Sequence, residues 1–290
     1  MGEPLNFTKM HSCGNDYIYF NCFKQHIESP GALSVKLSHR LTGIGGDGIV
    51  LILPSEIADG KMRIFNLDGS ESDMSGNAIR CVAKYLYESG LVRKQNMRIE
   101  TGSGIKELYL TIEGGKVKAA RVDMGPAELR PELVPVDLSG DSVIARPVTI
   151  GGTVYKITCV SMGNPHAVVF VSGMGELGTV ELNAVDFSSI GPMFEHNPLF
   201  PERVNIAFTQ VVGRNHLRVR VWERGSGETN GSGTGACAAA VAAVLNGYGD
   251  KNSDIKVDMP GGELIVEYTD DTVYMTGDCV QVFEGVVEDY

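Results

Sequence analysis

The chain has 290 residues, of which 43% are hydrophobic and 21% charged, and its formal net charge is −11. That apolar content suffices for one or two cores, whereas the acidity argues against broad contact with phosphate backbones and so excludes a nucleic-acid-binding protein. No run of about eighteen apolar residues is present to span a membrane, and the opening MGEPLNFTKM lacks the basic-then-apolar order of a secretory leader.

Taken in chain order, Leu5 to Phe20 reads as two strands joined by a Gly-Asn turn. Ala32 to Leu41 has helical spacing and ends at Gly43, and the β-branched run Ile49–Leu53 predicts a buried strand, with another at Met62–Phe65. Asn77 to Ser89 places Ile79, Val82, Ala83, Leu86 and Tyr87 on one helical side, with Gly90 as its stop. Three strand-like runs follow through Val122, with Thr101-Gly102-Ser103-Gly104 as a hairpin connection. The Gly125-Pro126 step and the prolines after it mark a boundary. Strands are expected at Pro147–Ile150, Tyr155–Val160 and Ala167–Val171, then a loop-rich span holding Pro192, Pro198 and Pro201. Strands Asn205–Gln210 and His216–Trp222, an alanine-rich helix over Ala236–Leu245 and a β-rich tail complete the chain. The expected class is mixed α/β (α+β), with halves over 1–125 plus 278–290 and over 126–277.

The six cysteines (Cys13, Cys22, Cys81, Cys159, Cys237, Cys279) form no C-x-x-C pair. This speaks against a zinc site and for free thiols in a reducing, cytoplasmic setting.

The sequence also repeats itself. Aligning Met62 onward with Val219 onward, without gaps, pairs Arg63 with Arg220, Phe65 with Trp222, Glu71 with Glu228, Ser75 with Ser232 and Gly76 with Gly233. A nearby offset pairs Asn15 with Asn164. Each half then contains a strand, a Gly-rich turn and a helix. Ser75-Gly76-Asn77 and Ser232-Gly233-Thr234 open the two helices, and serine there is first of all a capping residue. A helix N-terminus also carries unpaired N–H groups and partial positive charge, so two such turns facing one cleft would hold a carboxylate and stabilise charge developing on it. A group on either face of the α-carbon could then invert a stereocentre, one removing a proton and the other returning it. A thiol titrates in the range this needs; a serine hydroxyl does not, unless a strong base adjoins it.

Gly43-Ile44-Gly45-Gly46-Asp47-Gly48 matches the dinucleotide fingerprint literally, but a helix precedes it and a strand follows, the reverse of what that site requires, so it reads as a tight turn. His166 follows Asn164-Pro165 in a turn and aligns with Tyr17 of the first half. Glu223 and Arg224 end a strand just before the second turn; an exposed charge pair is the ordinary reading, an arginine holding a substrate carboxylate the sharper one.

Together these residues resemble diaminopimelate epimerase. The resemblance rests on Gly14-Asn15-Asp16-Tyr17, Gly43-Ile44-Gly45, Phe65-Asn66-Leu67-Asp68-Gly69-Ser70-Glu71, Gly76-Asn77 with Arg80-Cys81, Met162-Gly163-Asn164-Pro165-His166, Pro201-Glu202-Arg203-Val204-Asn205, Glu223-Arg224-Gly225 leading to Gly227-Glu228-Thr229, and Gly233-Thr234-Gly235-Ala236-Cys237, in that order along nearly the whole chain. It implies two pseudo-symmetric domains of the type shared with proline racemase, each a sheet wrapped around a central helix, with ligand between them. It implies interconversion of LL- and meso-diaminopimelate by two thiols, without pyridoxal phosphate or metal. It further implies that Gly76, Asn77, Gly233 and Thr234 bind the reacting amino-acid end. Asn15, Asn66, Asn164, Asn205, Glu223 and Arg224 contact the substrate, and His166 and Glu223 assist the thiols. The expected partner is a small amino acid, with a homodimer compatible with the reading; neither nucleic acid nor a membrane is expected.

The chain departs from the family where it matters most. Ser75 and Ser232 stand where the family has its two catalytic cysteines, while Cys81 and Cys237 fall inside the helices at non-catalytic positions. The thiols were deliberately replaced, or the chain is a natural variant without the usual activity. Gly48 replaces a glutamine of some relatives and Ala78 a glycine of many. A racemase of another amino acid such as histidine, and an amino-acid-binding protein without turnover, remain as alternatives.

Overall fold

A computed structural model describes residues 3–174 and 182–288. The order is β1 (Leu5–Ser12), β2 (Asn15–Asn21), α1 (Pro30–Leu37), β3 (Gly48–Leu53), β4 (Gly60–Asn66), β5 (Glu71–Ser72), α2 (Gly76–Glu88), β6 (Asn96–Thr101), β7 (Gly104–Glu113) and β8 (Lys116–Asp123). It continues with β9 (Arg146–Ile150), β10 (Thr153–Ser161), β11 (Pro165–Met174), α3 (Phe187–Glu195), β12 (Asn205–Gly213), β13 (His216–Glu223), β14 (Gly227–Thr229), α4 (Gly233–Leu245), β15 (Asp254–Met259), β16 (Gly262–Tyr268), β17 (Val273–Asp278) and β18 (Val280–Val287). The fold is mixed α/β, dominated by strands. It divides into two compact units, residues 1–123 with 276–290 and residues 124–275. No helix among the described residues is long and apolar enough to cross a membrane.

In the first unit the pairing runs β18–β1–β2–β3–β4–β6–β7–β8, parallel at β2/β3 and β4/β6 and antiparallel elsewhere, with β5 folded back on β4. α2 packs against strands from both ends of this series, so the sheet curls around it. Its sequence explains why. Ile79, Val82, Ala83 and Leu86 repeat at helical spacing and none is exposed. α1 lies on the opposite face, where Leu33 and Leu37 close a second cluster with Phe7, Ile18, Phe20, Ile49 and Phe65.

The second unit repeats the plan. The pairing runs β9–β10–β11–β12–β13–β15–β16, parallel at β11/β12 and β13/β15, with β14 folded back on β13. α4 is its enclosed helix. Alanine suits this place, being the best helix former and short enough to let strands approach on all sides; every residue from Gly235 to Ala243 is buried.

Two helices differ from the sequence reading. α1 stops at Leu37 rather than running to Leu41, because the following glycine loop folds back to cap it: the Ile44 and Gly45 amides both donate to the Leu37 carbonyl. α3 lies within the span read as loop. Its internal Pro192 and Gly191 conceal it in the sequence, yet Asp186 caps it through the Ser189 amide, and Phe187 and Phe194 anchor it in the core. Gly191 is obligatory, since a Cβ there would lie 2.2 Å from the Trp222 ring.

Candidate functional site

Each unit builds one pole at the N-terminus of its enclosed helix. In the first, Ser75 has extended backbone (φ −137°, ψ 121°) and its Oγ accepts the Ala78 N–H at 3.2 Å, a regular N-cap. The Ser75 hydroxyl faces Asn15 Oδ1 at 3.5 Å, a long contact. Asn15, at the start of β2, donates through Nδ2 to Asp47 Oδ2 at 2.7 Å. Gly76 and Asn77 form the buried first turn of α2, and Asn77 Oδ1 accepts from Arg80 Nη2 at 2.7 Å. Arg80 is itself fully buried, also donating to Ser12 and to the Asp278 carbonyl. Asn66 is turned instead toward its own hairpin, donating to Ser70 and Ser72 at 3.0 Å each.

In the second unit Ser232 takes the matching conformation (φ −117°, ψ 112°), accepts the Gly235 N–H at 3.3 Å and donates to Glu223 Oε2 at 3.0 Å. The other Glu223 oxygen accepts from Thr229 at 2.6 Å. Glu223 thus holds both Thr229 and Ser232. Gly235 is needed for this closeness, because a Cβ there would lie 2.9 Å from Val221 and 3.2 Å from Ser232 Oγ. Asn164 bridges Thr234, to which its Nδ2 donates at 3.2 Å, and His166, whose Nε2 lies 3.0 Å from its Oδ1. His166 is the second residue of β11, paired with Asn205 on β12, rather than sitting in a turn. Burial, with the Arg224 charge adding to it, pushes its imidazole down to about 3, so it is neutral at physiological pH. Asn205 is held on both sides by backbone, donating to the Pro165 carbonyl and accepting the Arg224 N–H, each at 2.9 Å. The Arg224 guanidinium donates to the Glu202 carbonyl.

Ser75, Gly76, Asn77 and Asn15 are therefore brought together in one unit, and Ser232, Gly233, Thr234, Glu223, Asn164, His166, Asn205 and Arg224 in the other. Asn66 stands apart in its hairpin. Sequence reasoning did not find Asp47, Arg80, Thr229 or Glu195. Glu195 is buried and holds the Glu223–Gly225 turn through the Trp222 indole N–H at 2.7 Å and the Gly225 amide at 2.8 Å. Nothing in the sequence around Glu195 distinguishes it, whereas Arg80 and Asp47 lie inside motifs already singled out.

Chemically, both poles pair an anion-binding helix terminus with a hydroxyl. Ser75 adjoins a neutral amide and Ser232 a carboxylate, and neither neighbour is a base strong enough to ionise an alcohol. The cysteines of the first unit are weak acids: burial pushes Cys81 up to about 12 and Cys13 and Cys279 up to about 11. The glycine-rich loop before β3 does not cradle a phosphate either. Its amides from Gly43 to Asp47 are committed to the carbonyls of His39, Leu37, Ser38 and Asp16. Gly48 has no room for a side chain, since a Cβ would lie 2.1 Å from the Phe65 carbonyl oxygen. Among the described residues no group of three His, Cys, Asp or Glu side chains could hold a metal ion.

Comparison with known proteins places these poles in context. A family model described as diaminopimelate epimerase matches residues 7–130 and 158–282. A diaminopimelate epimerase of Acetivibrio thermocellus is 50% identical over 286 residues, covering 98% of this chain and 99% of the relative. One of Desulfovibrio desulfuricans is 51% identical over 293 residues, covering 98% and 99%. Among solved structures, a PhzF-family phenazine biosynthesis protein of Bacillus anthracis superposes with a TM-score of 0.68 at 18% identity, covering 99% of this chain and 100% of that one. A hydroxyproline epimerase of Agrobacterium vitis, with bound trans-4-hydroxy-L-proline, gives 0.68 at 15%, covering 99% and 91%. These two likenesses bear on the fold alone.

Proposed function

The chain belongs to the diaminopimelate epimerase family, and from that premise we propose that it binds diaminopimelate and that Ser75 and Ser232 occupy its two proton-transfer positions, leaving this serine form with very low epimerase activity. The observation that carries the reading is the matched pair of caps. Each serine ends an extended segment, holds the N3 amide of a buried thirteen-residue helix and presents its oxygen beside a polar partner. In epimerisation of the LL to the meso isomer, one group withdraws the α-proton and the other delivers one to the opposite face. The amides of the helix termini stabilise the carboxylate charge that grows as the proton leaves. Gly76, Asn77, Gly233 and Thr234 hold the reacting end. Asn15, Asn164, Asn205 and Arg224 read the remainder, with the guanidinium matched to the distal carboxylate, while Asn66 serves its hairpin. Glu223 orients the group at 232, and His166, kept neutral, serves as a hydrogen-bonding partner rather than a charge.

Thiols at both positions restore the missing acid and base. The Ser75→Cys/Ser232→Cys variant is expected to exchange the α-proton of diaminopimelate with deuterium oxide at least ~1000-fold faster than the parent, the scale of paired acid and base catalysis. A double variant that exchanges no α-proton from any amino acid overturns the assignment. Serine at both positions also favours one other reading, retention of an amino acid without turnover; in that case calorimetry finds tight diaminopimelate binding while the double variant stays inert.

A further inference from the structure

The polar cluster behind Asn15 carries an inference that rests on the acid/base assignment of position 75. Asp47, the one acidic residue of the loop before β3, accepts the Asn15 Nδ2 donor at 2.7 Å and the Asp16 amide at 3.2 Å on the same oxygen. Its other oxygen accepts from Arg40 Nη2 at 2.9 Å. Arg40 also bonds Asp16 at 2.7 Å, and Asp16 pairs with the buried Lys9 ammonium at 2.5 Å. The loop is locked in this place: Gly45 has φ +83°, the Asp47 amide donates to the Asp16 carbonyl at 2.7 Å, and a Cβ on Gly46 would lie 2.8 Å from Lys9 Nζ.

We propose that Asp47 is a positioning residue that fixes the amide of Asn15 in one orientation, so that Asn15 presents to the group at position 75 its acceptor oxygen and not its donor nitrogen. A carboxylate only accepts, so the amide end 2.7 Å from Asp47 must be the NH₂. The carbonyl oxygen is then the end aimed at residue 75. An acceptor in that place favours the protonated form of a thiol and opposes the pull of the helix N-terminus toward thiolate. Asp47 thereby sets the acid character of this pole without touching substrate. The charged groups on this side include Lys9 from β1, Asp16 from β2, Arg40 and Asp47 from the loop, Arg80 from α2 and Asp278 from β17, whose carboxylate accepts from Ser12 and the Cys13 amide. Among the described residues, Asp47 is the charged group that bonds the Asn15 side chain.

The test follows a new thiol directly and needs no turnover. In Ser75→Cys protein, the pH dependence of iodoacetamide alkylation, read against the Ser75 parent as background, gives the apparent pKa at position 75. Adding Asp47→Asn frees the Asn15 amide to rotate and donate, and the expected result is a fall of about one pH unit. A loss of charge acting through space would produce a fall too, so the same change is made in Ser75→Cys/Asn15→Ala protein. There Asp47→Asn is expected to shift the thiol by less than about a third of its effect with Asn15 present, the mark of coupling through that side chain. Equal shifts in both backgrounds, or none in the first, overturn the proposal. Should Asp47→Asn fold poorly, Asn15→Ala in the Ser75→Cys protein supplies a second reading: loss of the acceptor oxygen must lower the thiol pKa, and a rise or no change overturns the proposal. The result stands apart from the proposed function, whose failure would appear in proton exchange and not in alkylation.

Discussion

His166 is fully buried and neutral, which links one side chain to the pH response of the protein. Its folded-state pKa of about 3 lies below the ordinary histidine range. The unfolded chain therefore binds a proton between pH ~6.5 and ~3 that the folded chain refuses, so the stability contributed by neutral His166 is present above that window and lost as pH falls through it. Denaturant unfolding between pH 6 and 4 should lose about 1.4 kcal/mol per pH unit from this group, and His166→Gln should remove that slope; an unchanged slope would show that the imidazole protonates in place. Arg224→Ala is expected to raise KM for diaminopimelate in the double-cysteine protein ~10-fold or more while leaving binding of amino acids without a distal carboxylate nearly unchanged. Equal weakening of both ligand types would count against its role at the distal end. At this scale the asparagines, Arg224 and both serines stood in sequence motifs. Asp47 and Glu195 did not declare their roles, because these depend on a left-handed glycine loop and on a proline-containing helix that brings a distant carboxylate under Trp222.

Among the elements, the two enclosed helices were the most legible. The apolar spacing of α2 and the alanine run of α4 admit little else, and a serine followed by glycine marks where each begins. Capping is also a stability matter, separable from chemistry. Ser75→Ala should cost about 1 kcal/mol by loss of the Ala78 amide partner, measured by urea unfolding. Gly48→Ala, at the start of β3, should cost more, about 2–4 kcal/mol, because the added Cβ collides with the Phe65 carbonyl and the neighbouring strand must move. If the two changes cost the same, the packing at Gly48 is looser than the register of β3 on β4 indicates. α3 and the early end of α1 were not legible, since both depend on contacts from elsewhere: Asp186 and the core phenylalanines for one, the folded-back glycine loop for the other.

For the whole molecule, acid should be the destabilising direction. For Asp16, Glu88 and Glu195, burial alone would raise the carboxyl, but hydrogen bonds and ion pairs outweigh it and the net shift is downward. Their contribution is complete above the ordinary carboxylate range and disappears as pH falls through their lowered values, the same direction as His166. The thermal midpoint should therefore fall monotonically from pH 6 to pH 3, and a maximum below pH 5 would contradict the sign. The duplication was visible in the sequence through Arg63 and Arg220, Glu71 and Glu228, and the paired serines. In space the first two pairs make the same bond in each half, an arginine to the glutamate on the folded-back strand. What the repeat could not reveal were the additional strands, β18 beside β1 and β9 beside β10, because neither has a counterpart at the aligned offsets. The β1–β18 pair has a consequence for biosynthesis. Leu5 is matched with Val287, so β1 receives this neighbour only after the whole second unit, residues 124–275, has been synthesised. The continuous second unit, residues 124–275, has all of its own sequence available sooner. Maturation thus runs against the order of synthesis, with the later half able to finish first while the earlier half waits with an open strand edge.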